Sequence, residues 1–406
     1  MKKIISIIVI LLVCIVALFA EEKTAAQIMA EEYSSTPAAY SSIASCFVPE
    51  NARMLGMGGA GLAFSDSENG LFYNPAALAG GEFKLSLPTL SASVYHVYDI
   101  LKEDLLGKIK GDRSQLVSSV LNVVGTQYAP LAKVDVAASM ILPFGFGFGV
   151  YAGDTVSTYS GTVVDELDAS VVAGYGTSVY LGNIRIAGGV TAEFNALVFN
   201  KRAKIADVMK AEDIYSTELT LASGWNGKLP VLDCGLTVEL AGLSASVVVS
   251  NILEAEYDMT VSSSAIKELG FESIKNDIFS ETSDFKVSSS RVISAGIAGD
   301  FSGGEFEIRF ALDCNDIDGF VKSLSDVSLD KKRVIIGHLN AGLEISLASI
   351  VTARVGFNSG YWTAGASLQM GSVMRIDCAY YWTEMGSYAG SRGLDGLTVR
   401  FNLGCE

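Results

Sequence analysis

Beyond residue 20 the chain has no run of eighteen consecutive apolar residues. A helix that crosses ~30 Å of hydrocarbon needs about twenty, so no transmembrane helix is expected there. Charge is scarce, at 18% of residues, and only 7 of the 406 are proline. Histidine occurs twice, as His96 and His338. There is no GxSxG, no Walker sequence, no zinc-ligand spacing and no CxxC. Barrel enzymes need acid and base groups at the rim or lipid face. These absences exclude an enzyme and leave no call for a cofactor or metal. A lone histidine facing a barrel interior, as expected for His338 on a strand over 333–347 beside Asn340 and Glu344, is read as a packing contact. His96 falls near the end of the first strand.

What is abundant is apolar surface: 50% of residues are hydrophobic and 41 are glycine. With little charge and no spanning helix, that leaves a large soluble β-protein or a β-barrel whose lipid face accounts for the surplus. The formal charge of −16 argues against nucleic-acid partners. The opening Met1-Lys2-Lys3, the apolar run Ile4–Phe19 and Ala20 before Glu21-Glu22 describe a signal peptide over 1–20. Leu18 departs from the usual small residue at its position. Cys14 and Cys46 both lack the surroundings of a lipoprotein cysteine. The five cysteines past the cut (Cys46, Cys234, Cys314, Cys378 and Cys405) are odd in number, and four fall in or beside expected strands, where Cys acts as a small hydrophobe.

From residue 83 the sequence becomes a series of roughly ten-residue alternating runs. Leu397, Val399, Phe401 and Leu403 oppose Thr398, Arg400 and Asn402; Val351, Ala353, Val355 and Phe357 oppose Thr352, Arg354 and Asn358. Period two gives one apolar and one polar face, and ten residues match a tilted bilayer span. Strands are placed near 83–98, 130–142, 144–153, 167–181, 183–197, 230–240, 243–252, 290–301, 304–314, 333–347, 349–358, 361–370, 372–383 and 394–404. Short connections alternate with long ones only if 198–229, including Thr217–Ser223, is one extracellular loop. The expected fold is an all-β, 14-stranded antiparallel transmembrane barrel over 83–406. Its last strand, close to the C-terminus, suits the outer-membrane assembly machinery. Pro88 shifts the alternation of the first strand and predicts a bulge. Helical spacing appears in two long connections, Asp99–Gly125 and Lys201–Tyr215.

The stretch Arg53–Ala79 fits neither helix nor strand. Gly56, Gly58, Gly59 and Gly61 allow positive φ and close backbone packing, and Asn74-Pro75-Ala76 closes it with a turn in which the Asn74 side chain bonds the backbone two residues on. Gly56–Gly61 also satisfies G-x-G-x-x-G, but without the preceding strand and following helix of a dinucleotide site. The arginine, the glycine run, the acidic Ser65–Asn69 and the Asn-Pro-Ala triplet resemble the N-terminal hatch of the FadL-type family of outer-membrane long-chain fatty acid transporters. The specific match covers under thirty residues. The resemblance implies a plug over 21–82 inside the barrel, an outer-membrane location, and passive uptake of long-chain fatty acids or other hydrophobic small molecules. A secretion-linked or surface-adhesion interaction barrel on the same fold is the alternative, since proteins sharing the hatch motif include some that serve secretion.

On that reading Asn74-Pro75-Ala76 is a hinge of the hatch, not a ligand contact. Phe144-Gly145-Phe146-Gly147-Phe148-Gly149 sets aromatics outward and glycines inward, which permits a kink or close approach by the plug; small residues filling a crowded interior give the same pattern. The ligand path is expected past Gly145, Gly147 and Gly149, with one luminal arginine among Arg185, Arg309, Arg354 and Arg375 free for a carboxylate.

Overall fold

A computed structural model of the chain describes residues 48–64, 70–80, 83–102, 129–159, 162–204, 220–225, 230–261, 285–303, 305–325, 330–371, 373–385, 389–390 and 392–405. Among them are seventeen strands: β1 Lys84–Tyr95, β2 Ala129–Ile141, β3 Phe146–Tyr159, β4 Thr162–Leu181, β5 Ile184–Lys204, β6 Thr220–Trp225, β7 Val231–Leu240, β8 Leu243–Ser250 and β9 Glu256–Val261. The rest are β10 Phe285–Ser288, β11 Val292–Gly303, β12 Phe306–Cys314, β13 Leu339–Leu347, β14 Val351–Asn358, β15 Tyr361–Met370, β16 Met374–Glu384 and β17 Gly393–Cys405.

Fourteen of these close into a ring. β1 to β5, β7, β8 and β11 to β17 pair antiparallel in that order, and β17 returns to β1, with Leu87 opposite Leu403 and Val94 opposite Leu397. The other three extend the upper half of β5: β6 pairs with β5 over Ala196–Lys201, then with β9, which pairs with β10. The segment Thr217–Ser223, expected to be loop, is therefore partly strand, in β6, yet adds nothing to the wall. Residues 154–166, expected to connect two strands, belong almost entirely to them: β3 and β4 run on to Tyr159 and from Thr162, so this hairpin rises well past the membrane. β4 and β5, at 20 and 21 residues, span roughly 65 Å at ~3.3 Å per residue. Lys201 and Lys204 end β5 and are not helical; 205–215 lies outside the described residues. Of Asp99–Gly125, only residues 99–102 are described, within the helix α2, Val97–Lys102.

One end of the ring carries tight turns. Ala241 and Gly242 between β7 and β8 both have positive φ, 54° and 79°, as a two-residue hairpin matched to strand twist requires. The β1 bulge lies at Pro88: register slips between Leu87 and Leu90 against β17, and between Ser86 and Thr89 against β2. Proline has no N–H for the ladder. The connection from β12 to β13 holds two helices, α3 Ile317–Ser325 and α4 Lys331–Gly337. The second corrects the strand expected from 333. Asp330 caps it, its side chain accepting from Lys332 N at 3.0 Å, which outweighs the β-like run Val334-Ile335-Ile336. His338 is consequently the C-cap of α4, with Nδ1 2.9 Å from Val334 O, and lies before β13.

The wall is inside out relative to a soluble protein. Val136, Phe148, Val150, Ile345, Val355 and Phe401 are exposed, while their inward neighbours Ser91, Asp135, Glu193, Glu344, Arg354 and Asp377 are buried. An apolar outer belt around a polar interior is the surface a bilayer demands. The interior is filled by residues 48–64 and 70–80. A short helix, α1 Ala52–Gly56, packs on β14, β15 and β16, and a 3-10 turn, Pro75–Gly80, packs on β4, β5 and β7. β15 and β5 are seven strands apart in a ring of fourteen, so the segment crosses the lumen from wall to opposite wall.

Candidate functional site

The luminal segment is held at two places by different chemistry. At the first, Asn51 caps α1 through its side chain, which accepts from Arg53 N and Met54 N at 3.1 and 3.2 Å. This sets Arg53, buried, toward β13. Its Nε and Nη2 donate to Glu344 Oε2 and Oε1, both at 2.9 Å, a bidentate pair. Arg354 Nε donates to the same carboxylate at 2.5 Å, and Arg309 Nη1 stands 3.7 Å away. The Arg53 guanidinium also lies over the Phe64 ring, 5.1 Å from its centre. Eight residues on from Arg53, Gly61 N and Leu62 N donate to Asp313 Oδ2 on β12 at 2.7 and 2.9 Å.

Backbone meets backbone beneath these contacts. A Cβ on Gly58 (φ 73°) would fall 2.5 Å from Phe357 N, and one on Gly56 would fall 3.0 Å from Gly365 Cα. The wall answers with its own glycines: Gly342 faces Met57, and a Cβ on Gly356 would be 2.2 Å from Gly58 N. Gly342, Gly356 and Gly365 were not singled out from sequence, although each stands at an inward-parity position between polar residues, the signal of a groove for another backbone. Gly59 (φ 77°) packs beside the Asn340 side chain.

At the second place the turn begins at Pro75, where a missing N–H costs nothing. Asn74 is buried; its Oδ1 accepts from Ala76 N at 3.0 Å, while Nδ2 donates to Leu62 O at 2.8 Å and to Thr237 Oγ1 at 3.3 Å. Leu71, Phe72 and Leu78 form a core with Ala137, Ile141, Tyr151 and Val172 of the wall. Glycines again make room. A Cβ at Gly189 would lie 2.0 Å from Pro75 O, at Gly235 2.3 Å from Asn74 Oδ1, at Gly147 2.7 Å from Leu78 Cδ2 and at Gly149 2.4 Å from Leu71 Cδ2. Gly145 (φ 83°) sits in the β2–β3 turn, facing Gly176 O. β3 is paired on both sides at Gly147, which stands opposite Ile141 and Gly174.

The four arginines considered for a ligand carboxylate all line cavities at the tight-turn end, one of about 430 Å³ with Arg185 and Arg309, another of about 380 Å³ with Arg53, Arg309, Arg354 and Arg375. Each is already engaged. Arg185 bonds Glu239 at 2.6 Å and Ala79 O at 3.0 Å. Arg309 bonds Asp300 and Glu307 at 2.9 and 2.6 Å. Arg354 reaches Glu344, Ser367 and Asp377, and Arg375 reaches Asp377 at 2.9 Å.

No protein-family model matches the chain, and no curated protein does. Among solved structures it is similar to a Pseudomonas aeruginosa FadL homologue, 13% identical over 88% of this chain and 98% of that one, with a TM-score of 0.41. A TodX monoaromatic hydrocarbon channel lacking S2 and S3 is 10% identical over 87% and 98%, with a TM-score of 0.42. The translocator domain of the autotransporter NalP from Neisseria meningitidis is 8% identical over 80% and 88%, with a TM-score of 0.34. Likeness at this level ties the chain to no single activity among them.

Proposed function

We propose that this chain is an outer-membrane barrel through which long-chain fatty acids or other hydrophobic small molecules enter passively, with the luminal segment as its hatch. The supporting observation is the pairing of an apolar outer belt with a lumen crossed from wall to wall by a segment seated in glycine grooves. Water and ions are shut out by such a segment, whereas an apolar molecule gains by moving along apolar surface. The domain division is proposed as 1–20 signal peptide, 21–82 hatch and 83–406 barrel, with the closing strand β17 presented to the assembly machinery.

Saturable binding of a fluorescent fatty acid by the refolded barrel is the expected result. Steady conductance in planar bilayers would instead identify an open aqueous pore. An interaction barrel is favoured by one feature, the β6–β9–β10 sheet that continues β5 beyond the ring; co-purification of a protein partner without fatty acid binding would select it. The path is proposed to pass Gly145, Gly147 and Gly149 when the 75–80 turn withdraws. Leucine at 147 would occupy the space of Leu71 and Leu78. Gly147→Leu should lower uptake at equal surface expression, and unchanged uptake would remove this strand from the path.

A further inference from the structure

Arg185, Arg309, Arg354 and Arg375 each bond a carboxylate, whereas Arg400, also inward on the wall, bonds none among the described residues. We propose that Arg400, on β17, binds the anionic head of an amphiphile, a carboxylate in the first instance, in a small cavity between β17, β1 and β2. The inference rests on the transport reading and names the residue that would read ligand charge.

Arg400 is only 5% exposed, yet its Nε and Nη1 have no hydrogen-bond partner among the described residues. Across the ladder stand Asp377 on β16 and Ser91 on β1. Asp377 is occupied: Oδ1 takes Ser367 and Arg354, and Oδ2 takes Arg375. Ser91 donates to Glu50 O at 3.2 Å. Guanidinium donors left unpaired in a buried site are costly, and an anion that accepts from either of them removes part of that cost. A planar carboxylate meets a guanidinium along the Nε–Nη2 or the Nη1–Nη2 edge, and each edge carries one of the two open donors.

The cavity that Arg400 lines measures about 50 Å³; one water needs roughly 10–15 Å³ by the same measure. It therefore holds a carboxylate and its first carbons, not a bulky head. Its walls suit an amphiphile: Pro49 and Phe72 from the luminal segment, with Leu85 and Ile141 from the wall, are apolar, while Thr89 and Asn402 are polar. Asn402 and Gly404 also line the 380 Å³ cavity, so the two spaces adjoin. The lining also includes Ser86 and Thr89, which flank the Pro88 bulge, where β1 slips register against both neighbours. Head group, chain and interrupted wall thus fall in one place.

The test uses the refolded full barrel and two probes of identical chain and fluorophore, a long-chain acid and the corresponding alcohol. Arg400→Gln should weaken binding of the acid about tenfold or more, the scale of one charged hydrogen bond, and leave the alcohol unchanged. Arg400→Lys should recover part of the acid affinity. A heat-modifiability gel establishes that each variant has assembled. Equal loss of both probes would make Arg400 a packing residue and overturn the inference, as would retention of both. Failure of the wild type to bind either probe would instead overturn the transport reading. If Arg400→Gln does not assemble, Arg400→Lys decides: selective weakening of the acid supports the site, and parallel behaviour of the two probes overturns it.

Discussion

The two anchorages of the luminal segment differ in what they resist. Around α1 the hold is ionic: Arg53, Arg354 and Arg309 share the Glu344 carboxylate, and Asp313 fixes the next turn of backbone. Around Pro75–Gly80 the hold is chiefly steric and apolar, with Leu71 and Leu78 against the glycine floor of β3 and β4. Hydrogen bonds to the wall add to it, among them Asn74 Nδ2 to Thr237 Oγ1 and Arg185 Nη2 to Ala79 O. A buried ion pair is hard to break piecemeal, because removing one partner strands the other. An apolar contact over glycine has no such penalty and can part and reform. On the proposed transport reading, α1 is the fixed support and the turn is the part that moves.

The largest effect should come from attacking the ionic side. Glu344→Ala leaves Arg53 and Arg354 buried without their shared carboxylate and should cost about 3–5 kcal/mol, read as a lower unfolding temperature or loss of the heat-modified band. Glu344→Gln keeps the shape and removes the charge, so full tolerance of it would mean that shape, not charge, matters there. On the other side, Gly189→Val places side-chain atoms where Pro75 O lies. Overpacking of this kind costs about 1–3 kcal/mol, and the turn is expected to yield before the wall does. The readout is new steady conductance with the barrel still assembled. A silent bilayer would show that the turn is as fixed as α1.

The smallest expected effect lies at the far rim. His96 is buried at a φ of 57°, its amide donating to Asp395 O at 2.9 Å, and its Nε2 has no partner among the described residues. Burial lowers its pKa below the usual value, assisted by Arg392 and opposed by Asp99 and Asp395. The folded chain therefore binds this proton less well than the unfolded one. Its contribution to stability is complete above about pH 6.5 and is lost as pH falls below that. Amide exchange at residues 95–98 should speed up below this pH in wild type and not in His96→Asn. Neither anchorage of the segment should respond.

Strands were legible because each wall residue answers to lipid or lumen, which imposes period two on the chain. The Val334–Ile336 run misleads because its apolar residues fit a strand, whereas the deciding group is the Asp330 carboxylate just before it. Residues 154–166 read as loop because β3 and β4 leave the bilayer there, and lipid no longer dictates their pattern. The partner of Arg53 was not legible at all. Glu344 stands 291 positions away and meets it only through ring closure and register. For the same reason sequence could name inward arginines but not say which of them were already paired.

The seam between β1 and β17 also sets an order of events. The luminal segment immediately precedes β1, and β1 completes its pairing only with the final described strand. Until that strand arrives, the Arg53–Glu344 contact spans an open sheet, and the slowest contacts to form are those of highest sequence separation. The ring must close around its own contents. A segment still outside at that moment would face a closed wall and could enter only through an end of the ring.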